Sequence, residues 1–178
     1  LANAGHSGRW DMKFMGWAIR RGSNGTMDGV ASGFREPNGI GVFGSERDVF
    51  VTDNQGHWTA VCELNHLRPG KYFGRPSSTP DLKKLYEGRA TFTPPAIWFP
   101  YSLARSISGM AEIRDNRFGP FKGQLLVGDF QNALVTRVFL EKVNGEYQGA
   151  VFSFITGFRS GVNRLSFGPD GNLYVGGL

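Results

Sequence analysis

The chain has 178 residues and a formal net charge of +5, from 20 lysines and arginines against 15 aspartates and glutamates. The basic residues are scattered, which argues against a nucleic-acid-binding protein, because tracking a phosphate backbone needs a contiguous basic surface. No apolar run approaches the roughly 20 residues of a membrane-spanning helix, so we expect no membrane span. The 26 glycines and 15 phenylalanines, set in short apolar runs between turns, favour an all-β fold.

The first part of the chain predicts the outer strands of one repeat unit, residues 1–34. It contains an apolar stretch, a Gly-Ser-Asn-Gly turn and a return strand at 27–34. Residues 35–66 predict the first full repeat. Residues 67–104 are rich in proline, glycine and charge, and they predict a long insertion with one short helix at 81–87.

A second repeat is predicted at 105–158. Its outer strands, 135–140 and 150–155, flank the dipeptide Asn144-Gly145. Asn-Gly between two apolar stretches is a strong signal for a β-hairpin, because both residues tolerate the positive φ of the turn. This repeat therefore predicts a hairpin at its outer edge.

A third repeat begins at 159–178 and copies the pattern of the first. Residues 163–167 and 173–177 correspond to residues 38–42 and 49–53, each pair joined by a turn. Hairpin units that recur at intervals of several tens of residues are typical of propellers and solenoids. We expect a β-propeller fragment of about three blades, each a four-stranded antiparallel sheet, with one long insertion.

If the repeats are propeller blades, the segment leading into each innermost strand and the loop following each second strand emerge on one face of the disc. Each of these leading segments carries an arginine, namely Arg35, Arg105 and Arg159. Two of the following loops begin with an aspartate, Asp53 and Asp129. We therefore expect one face to hold a ring of arginine, asparagine and aspartate side chains around the central channel.

Two interpretations of this ring are open. The arginines are suited to a ligand that carries carboxylates, and the Asp, Asn and Gln oxygens are suited to a hard cation such as calcium or to sugar hydroxyls. Alternatively, Asp53 and Asn54 cap a turn and Arg35 pairs with a neighbouring acid. No Gly-x-Ser-x-Gly, His-Glu-x-x-His or phosphate-loop motif is present in the sequence.

Several segments resemble the blades of quinoprotein glucose and sorbosone dehydrogenases, namely 33–39, 50–56 and 67–76. Residues 118–129 and 140–149 are similar to the propellers of large secreted bacterial proteins that join this domain to haem or copper-binding modules. The resemblance extends over nearly the whole chain. It implies a six-bladed propeller that binds pyrroloquinoline quinone and calcium.

The resemblance also implies which residues contact the quinone. The arginine-asparagine pair of the family corresponds to Arg35 and Asn38. Before the third hairpin, the family's paired arginines are replaced by Gly161 and Asn163. In that segment Arg159 and Asn163 are the candidate cofactor contacts.

A catalytic base and a substrate side are implied in the same way. His6 lies in a segment that resembles the one carrying the family's base, which removes the sugar hydroxyl proton while hydride passes to the quinone. Asp53, Asn54, Gln55 and Asp129 are expected to line the substrate side. The metal ligands are not assigned.

The implied activity is the oxidation of an aldose or similar polyol by a secreted or periplasmic enzyme, with a cytochrome c or copper domain in the full-length chain. Two alternatives stay open. One is a non-catalytic propeller that binds a carbohydrate or a protein and positions neighbouring redox modules. The other is a lactonase-like metal-dependent hydrolase, for which Glu36 is the one suitable acidic residue in a leading segment.

Overall fold

The computed structural model describes residues 13–56, 59–75 and 92–177. These residues form twelve β-strands and one 3₁₀ turn at Asn116–Phe118, which confirms the all-β prediction. No helix in these three ranges is long and apolar enough to cross a membrane. The strands are β1 (Trp17–Arg21), β2 (Met27–Ser32), β3 (Pro37–Phe43), β4 (Asp48–Asp53), β5 (Cys62–His66), β6 (Ile97–Phe99), β7 (Ile107–Glu112), β8 (Leu125–Asp129), β9 (Leu134–Val143), β10 (Glu146–Ile155), β11 (Val162–Phe167) and β12 (Leu173–Gly177).

The strands form two complete four-stranded antiparallel sheets and two hairpins. The first sheet has the order β3-β4-β5-β6 and the second β7-β8-β9-β10, while β1–β2 and β11–β12 pair alone. The leading strands lie side by side, with β3 against β7 and β7 against β11. Four-stranded meanders arranged with their first strands together are the blades of a β-propeller, so the predicted architecture is confirmed.

The fourth strand of the first blade lies within the interval that was predicted as an insertion. In β6, Ile97 and Phe99 are buried whereas Trp98 is 43% exposed, and the strand pairs with β5 through Cys62 and Leu64. The prolines on both sides of this three-residue strand are typical of loops, so the sequence pattern did not indicate a strand there. The helix predicted at 81–87 lies outside the described residues.

The core lies between blades rather than inside any one of them. Phe50 and Leu64 of the first blade pack with Ile107 and Leu125 of the second, and all four are fully buried. Separate clusters join the first blade to the β1–β2 hairpin and the second blade to the β11–β12 hairpin. The apolar faces of neighbouring sheets therefore cover each other, as in other packed β-sheet layers.

The innermost strands approach closely enough for direct hydrogen bonds between blades. The Thr52 hydroxyl donates to the Ser108 carbonyl at 2.8 Å and accepts the Gly39 amide at 2.7 Å. The Ser108 hydroxyl in turn donates to the Val162 carbonyl at 2.7 Å. We call these two bonds between neighbouring blades the hydroxyl links. They set the spacing of β3, β7 and β11, whose first residues carry the candidate site.

Candidate functional site

A cavity of about 740 Å³ opens where the leading segments enter β3, β7 and β11. Its wall includes Arg35 and Asn38 from the first blade, Arg105 from the second and Asn163 from the third. Asn54, Gln55 and Gly56, together with Phe130 and Gln131, complete the rim from the loops that follow the second strands. The structure thus gathers Arg35, Asn38, Asn54, Gln55 and Asn163 from the predicted set around one cavity.

Asp53 does not line this cavity. Its side chain is 5% exposed, and its oxygens accept the backbone amides of Arg35 at 2.8 Å, Glu36 at 2.6 Å and Asn54 at 3.0 Å. Burial raises the pKa of Asp53 to about 6, although these amide hydrogen bonds oppose the rise. The turn-capping interpretation therefore describes this carboxylate, which fixes the leading segment that presents Arg35.

Asp129 occupies the same position in the second blade. It is fully buried, and its carboxylate accepts the amides of Arg105 at 2.8 Å, Ser106 at 2.6 Å and Asn132 at 2.5 Å. Its oxygens are directed at the backbone rather than into the cavity. Asp53 and Asp129 were expected to line the substrate side of the cavity. In the structure each carboxylate instead accepts three backbone amides of its own loop, so its oxygens are not directed at a ligand.

Replacing Asp129 by alanine is expected to lower the free energy of unfolding by about 2 kcal/mol, because buried amides would lose their acceptor. Asp28 is a matched control, since it is exposed and its one ion-pair partner among the described residues is the exposed Arg20, at 3.4 Å. Its replacement should change stability by less than about 0.5 kcal/mol. Chemical unfolding of both variants measures the difference, and equal effects would contradict the assigned role of Asp129.

Arg35 is held by hydrogen bonds within its own blade, and one of its donors is buried. One terminal nitrogen donates to Glu36 at 2.9 Å and also to the Gln55 carbonyl. Its Nε is buried and has no hydrogen-bond partner within the described ranges. Gly56 lies so close to this guanidinium that a Cβ at position 56 would overlap it. Arg35 is therefore held against the backbone with a donor left over.

Arg164 joins the site, although the sequence interpretation did not select it. Its Nη1 donates to the side-chain oxygens of Asn163 at 2.7 Å and Asn38 at 3.3 Å, and so links the first and third leading segments. Strand alternation would send Arg164 and Asn163 to opposite faces. A register shift between Val162 and Arg164 removes this alternation. Bulges of this kind frequently re-aim side chains beside functional sites.

The remaining cofactor and catalytic candidates are Arg159 and His6. Arg159 is exposed and lies outside the cavity wall. His6 lies outside the described residues. In the ranges that the structure covers, no group of three or more His, Cys, Asp or Glu side chains is arranged to hold a metal ion, so calcium ligands are not identified from side chains.

Comparison with known proteins finds one matching family and several solved structures of similar fold. A family model described as glucose / sorbosone dehydrogenase matches residues 21–177. Similar solved structures include a glucose dehydrogenase, with a TM-score of 0.71 and 19% identity over 92% of this chain and 51% of that chain. The soluble aldose sugar dehydrogenase from Escherichia coli in the apo form has a TM-score of 0.69 and 19% identity over 92% and 51%.

A third similar structure is the PQQ-bound form of aldose sugar dehydrogenase from Streptomyces coelicolor. Its TM-score is 0.64, with 18% identity over 90% of this chain and 45% of that chain. No curated protein matches the sequence. At these identities the structural likeness shows the fold, and the chain spans about half the length of the structures it matches.

Proposed function

Because the chain belongs to the glucose/sorbosone dehydrogenase family, we propose that it forms part of an enzyme that oxidises an aldose or similar polyol with pyrroloquinoline quinone. One observation carries the proposal. The three leading segments of the propeller converge on a single cavity, where Arg35, Asn38 and Asn163 meet within about 740 Å³.

The side chains present fit such a cofactor. Pyrroloquinoline quinone is a planar molecule with three carboxylates, and arginines bind carboxylates through paired hydrogen bonds. Arg35 and Arg105 line the cavity, and Arg164 adjoins it through its bonds to Asn38 and Asn163. Among the described residues of the wall, Glu36 is the one that carries a carboxylate, and it is paired with Arg35 at 2.9 Å. The described wall therefore carries two arginines and one carboxylate that is already paired.

We assign Arg35 and Asn38 to hold the quinone, which when bound supplies a two-electron acceptor for the sugar hydride. Arg35 lines the cavity and carries the positive charge that would face an anionic oxygen, while its Nε is buried against Gly56. Asn38 is oriented by two contacts, since its Nδ2 donates to the Ile107 carbonyl at 3.4 Å and its Oδ1 accepts from Arg164. Asn54 and Gln55 also line the cavity. Their side-chain oxygens accept the Cys62 thiol at 3.5 Å and 2.6 Å, so we assign their amide nitrogens, which are donors, to sugar hydroxyls.

The other elements of the proposal rest on the family resemblance. We propose His6 as the base that accepts the sugar hydroxyl proton, calcium as a second cofactor and a location outside the cytoplasm. A cytochrome c or copper domain of the full-length chain would then receive the electrons. Asp53 and Asp129 contribute by holding the leading segments in place.

Asn38 provides the test. In the full-length protein with saturating calcium, replacement of Asn38 by alanine is expected to weaken quinone binding about tenfold, because one hydrogen bond to the bound group is lost. Titration followed by quinone absorbance measures the affinity, and dye reduction with a panel of aldoses measures turnover. Replacement of Gln148, an exposed amide residue on β10, should leave both unchanged. Wild-type protein that retains no quinone would overturn the proposal.

A further inference from the structure

Arg105 differs from the other arginines of the cavity in how its guanidinium is held. Its backbone amide donates to Asp129 at 2.8 Å, and its Nε donates to the Tyr101 carbonyl at 3.2 Å. The guanidinium carbon lies 4.6 Å from the centroid of the Tyr101 ring, a cation–π contact. The backbone, the Nε and one face of this side chain are therefore fixed before any ligand binds.

The two terminal nitrogens of Arg105 have no hydrogen-bond partner in the part of the chain that the structure describes. By contrast, Arg35 donates through Nη1 to Glu36, and Arg164 donates through Nη1 to Asn38 and Asn163. Arg105 lines the cavity and is not paired there with a carboxylate. A fixed guanidinium with its fork open matches the geometry of a carboxylate, which accepts two parallel N–H bonds.

An apolar surface lies beside this fork. The Phe130 amide donates to the Ser106 carbonyl at 2.8 Å, which ties Phe130 to the residue after Arg105. The Phe130 ring is 41% exposed at the cavity rim and lies against Gly161, where a Cβ would overlap it. Arg105 and Phe130 line the same cavity, so a planar or ring-shaped ligand that bears a carboxylate matches the chemistry of both groups.

We propose that Arg105 binds a carboxylate of the molecule held in this cavity, with Phe130 supporting the ring that bears the carboxylate. This inference rests on the proposed function and deepens it, because it makes Arg105 a determinant of specificity for an acidic group. The carboxylate has two candidate sources, the quinone itself or an acidic sugar such as a uronic acid. A neutral aldose offers the fork only uncharged hydroxyl acceptors, which bind a guanidinium more weakly than the paired oxygens of a carboxylate.

The test uses Arg105→Gln and Arg105→Lys in the full-length protein, with two probes measured separately. Pyrroloquinoline quinone is titrated without sugar, and glucuronate is compared with glucose by thermal shift and calorimetry without quinone. Arg105→Gln is expected to weaken binding of at least one carboxylate probe more than about tenfold, because a charge-assisted pair is lost. Glucose binding should stay within about twofold. The affinity of Arg105→Lys should lie between those of the wild type and Arg105→Gln, because lysine keeps the charge but lacks the paired N–H donors.

Arg114 is a matched control, because it sits at the opposite end of β7 and pairs with Glu112 at 3.3 Å. Arg114→Gln should leave both probes unaffected. The inference is overturned if Arg105→Gln changes neither probe by more than about twofold, or if wild-type protein binds neither probe at millimolar concentration. Absence of quinone binding alone would contradict the proposed function, while glucuronate binding that depends on Arg105 would still support the carboxylate site.

Discussion

Replacing Gly39 by alanine is expected to lower the free energy of unfolding by about 3 kcal/mol, the upper part of the range for an overpacked core. A Cβ at this position would overlap the Ser108 carbonyl oxygen and lie 2.7 Å from the Thr52 hydroxyl oxygen. Both neighbours belong to a hydroxyl link, so neither can move without breaking a bond between blades. Urea or thermal unfolding of the variant measures the loss.

Gly176 is the control for this substitution. It also lies in a strand, it is exposed, and an added Cβ would meet Arg164 at an ordinary distance of 3.6 Å. Gly176→Ala should therefore change stability by no more than about 0.5 kcal/mol. If the two glycine variants unfold alike, the close approach of β3 and β7 does not limit stability.

Replacing Glu63 by glutamine is expected to stabilise the protein at alkaline pH and to leave its stability near pH 4 almost unchanged. Glu63 is 3% exposed on β5 and lies directly opposite Asp53 in the strand register. Its Oε2 accepts the Asn65 side-chain amide at 3.1 Å. In the ranges covered by the structure, no lysine or arginine forms an ion pair with it. A carboxylate in this position is strongly disfavoured when charged.

The direction of the effect follows from proton binding. Burial, and secondarily the charge of Asp53, raises the pKa of Glu63 from 4.5 to about 8. The folded chain therefore holds a proton that the unfolded chain releases, so the stabilising contribution of protonated Glu63 is complete below pH 4.5 and is lost as the pH rises through about 8. Each pKa unit corresponds to about 1.4 kcal/mol, so the loss is on the order of 5 kcal/mol.

Unfolding measured between pH 4 and pH 9 tests this expectation. The wild-type protein should lose stability relative to Glu63→Gln across that window, because glutamine keeps an acceptor for Asn65 and never ionises. Glu141→Gln, at an exposed position on β9, should follow the wild-type curve. Parallel curves for wild type and Glu63→Gln would show that Glu63 is already ionised in the folded protein at neutral pH.

The repeated hairpins were accessible from the sequence because turn residues and apolar alternation are local signals. The pattern at 163–167 and 173–177 predicted β11 and β12, and the corresponding first repeat predicted β3 and β4. Blade geometry then placed the leading segments on one face, and the structure gathers Arg35, Asn38 and Asn163 there. The fold and the outline of the cavity therefore follow from local patterns combined with one topological rule.

The parts that could not be predicted depend on contacts between distant segments. Nothing local distinguishes Asp53 as an acceptor of three amides from Asp53 as a ligand-facing carboxylate. Arg164 reaches Asn38 only because a bulge breaks the alternation of β11. The three residues of β6 are too few to show a period, and their neighbouring prolines favour a loop. In each case two local interpretations were possible, and only the contact with a segment distant in sequence distinguishes them.

The hydroxyl links also determine how the cavity can be re-engineered. Thr52 and Ser108 are fully buried and are not part of the described cavity wall. Their bonds nevertheless fix the separation between neighbouring blades, whose leading segments and first strands carry Asn38, Arg105 and Asn163. A change from hydroxyl to methyl at either position would replace a hydrogen-bond length with a larger van der Waals separation. The width of the cavity is therefore determined by two buried residues beneath it. Variants selected for bulkier ligands should carry substitutions at Thr52 and Ser108 as well as at the rim.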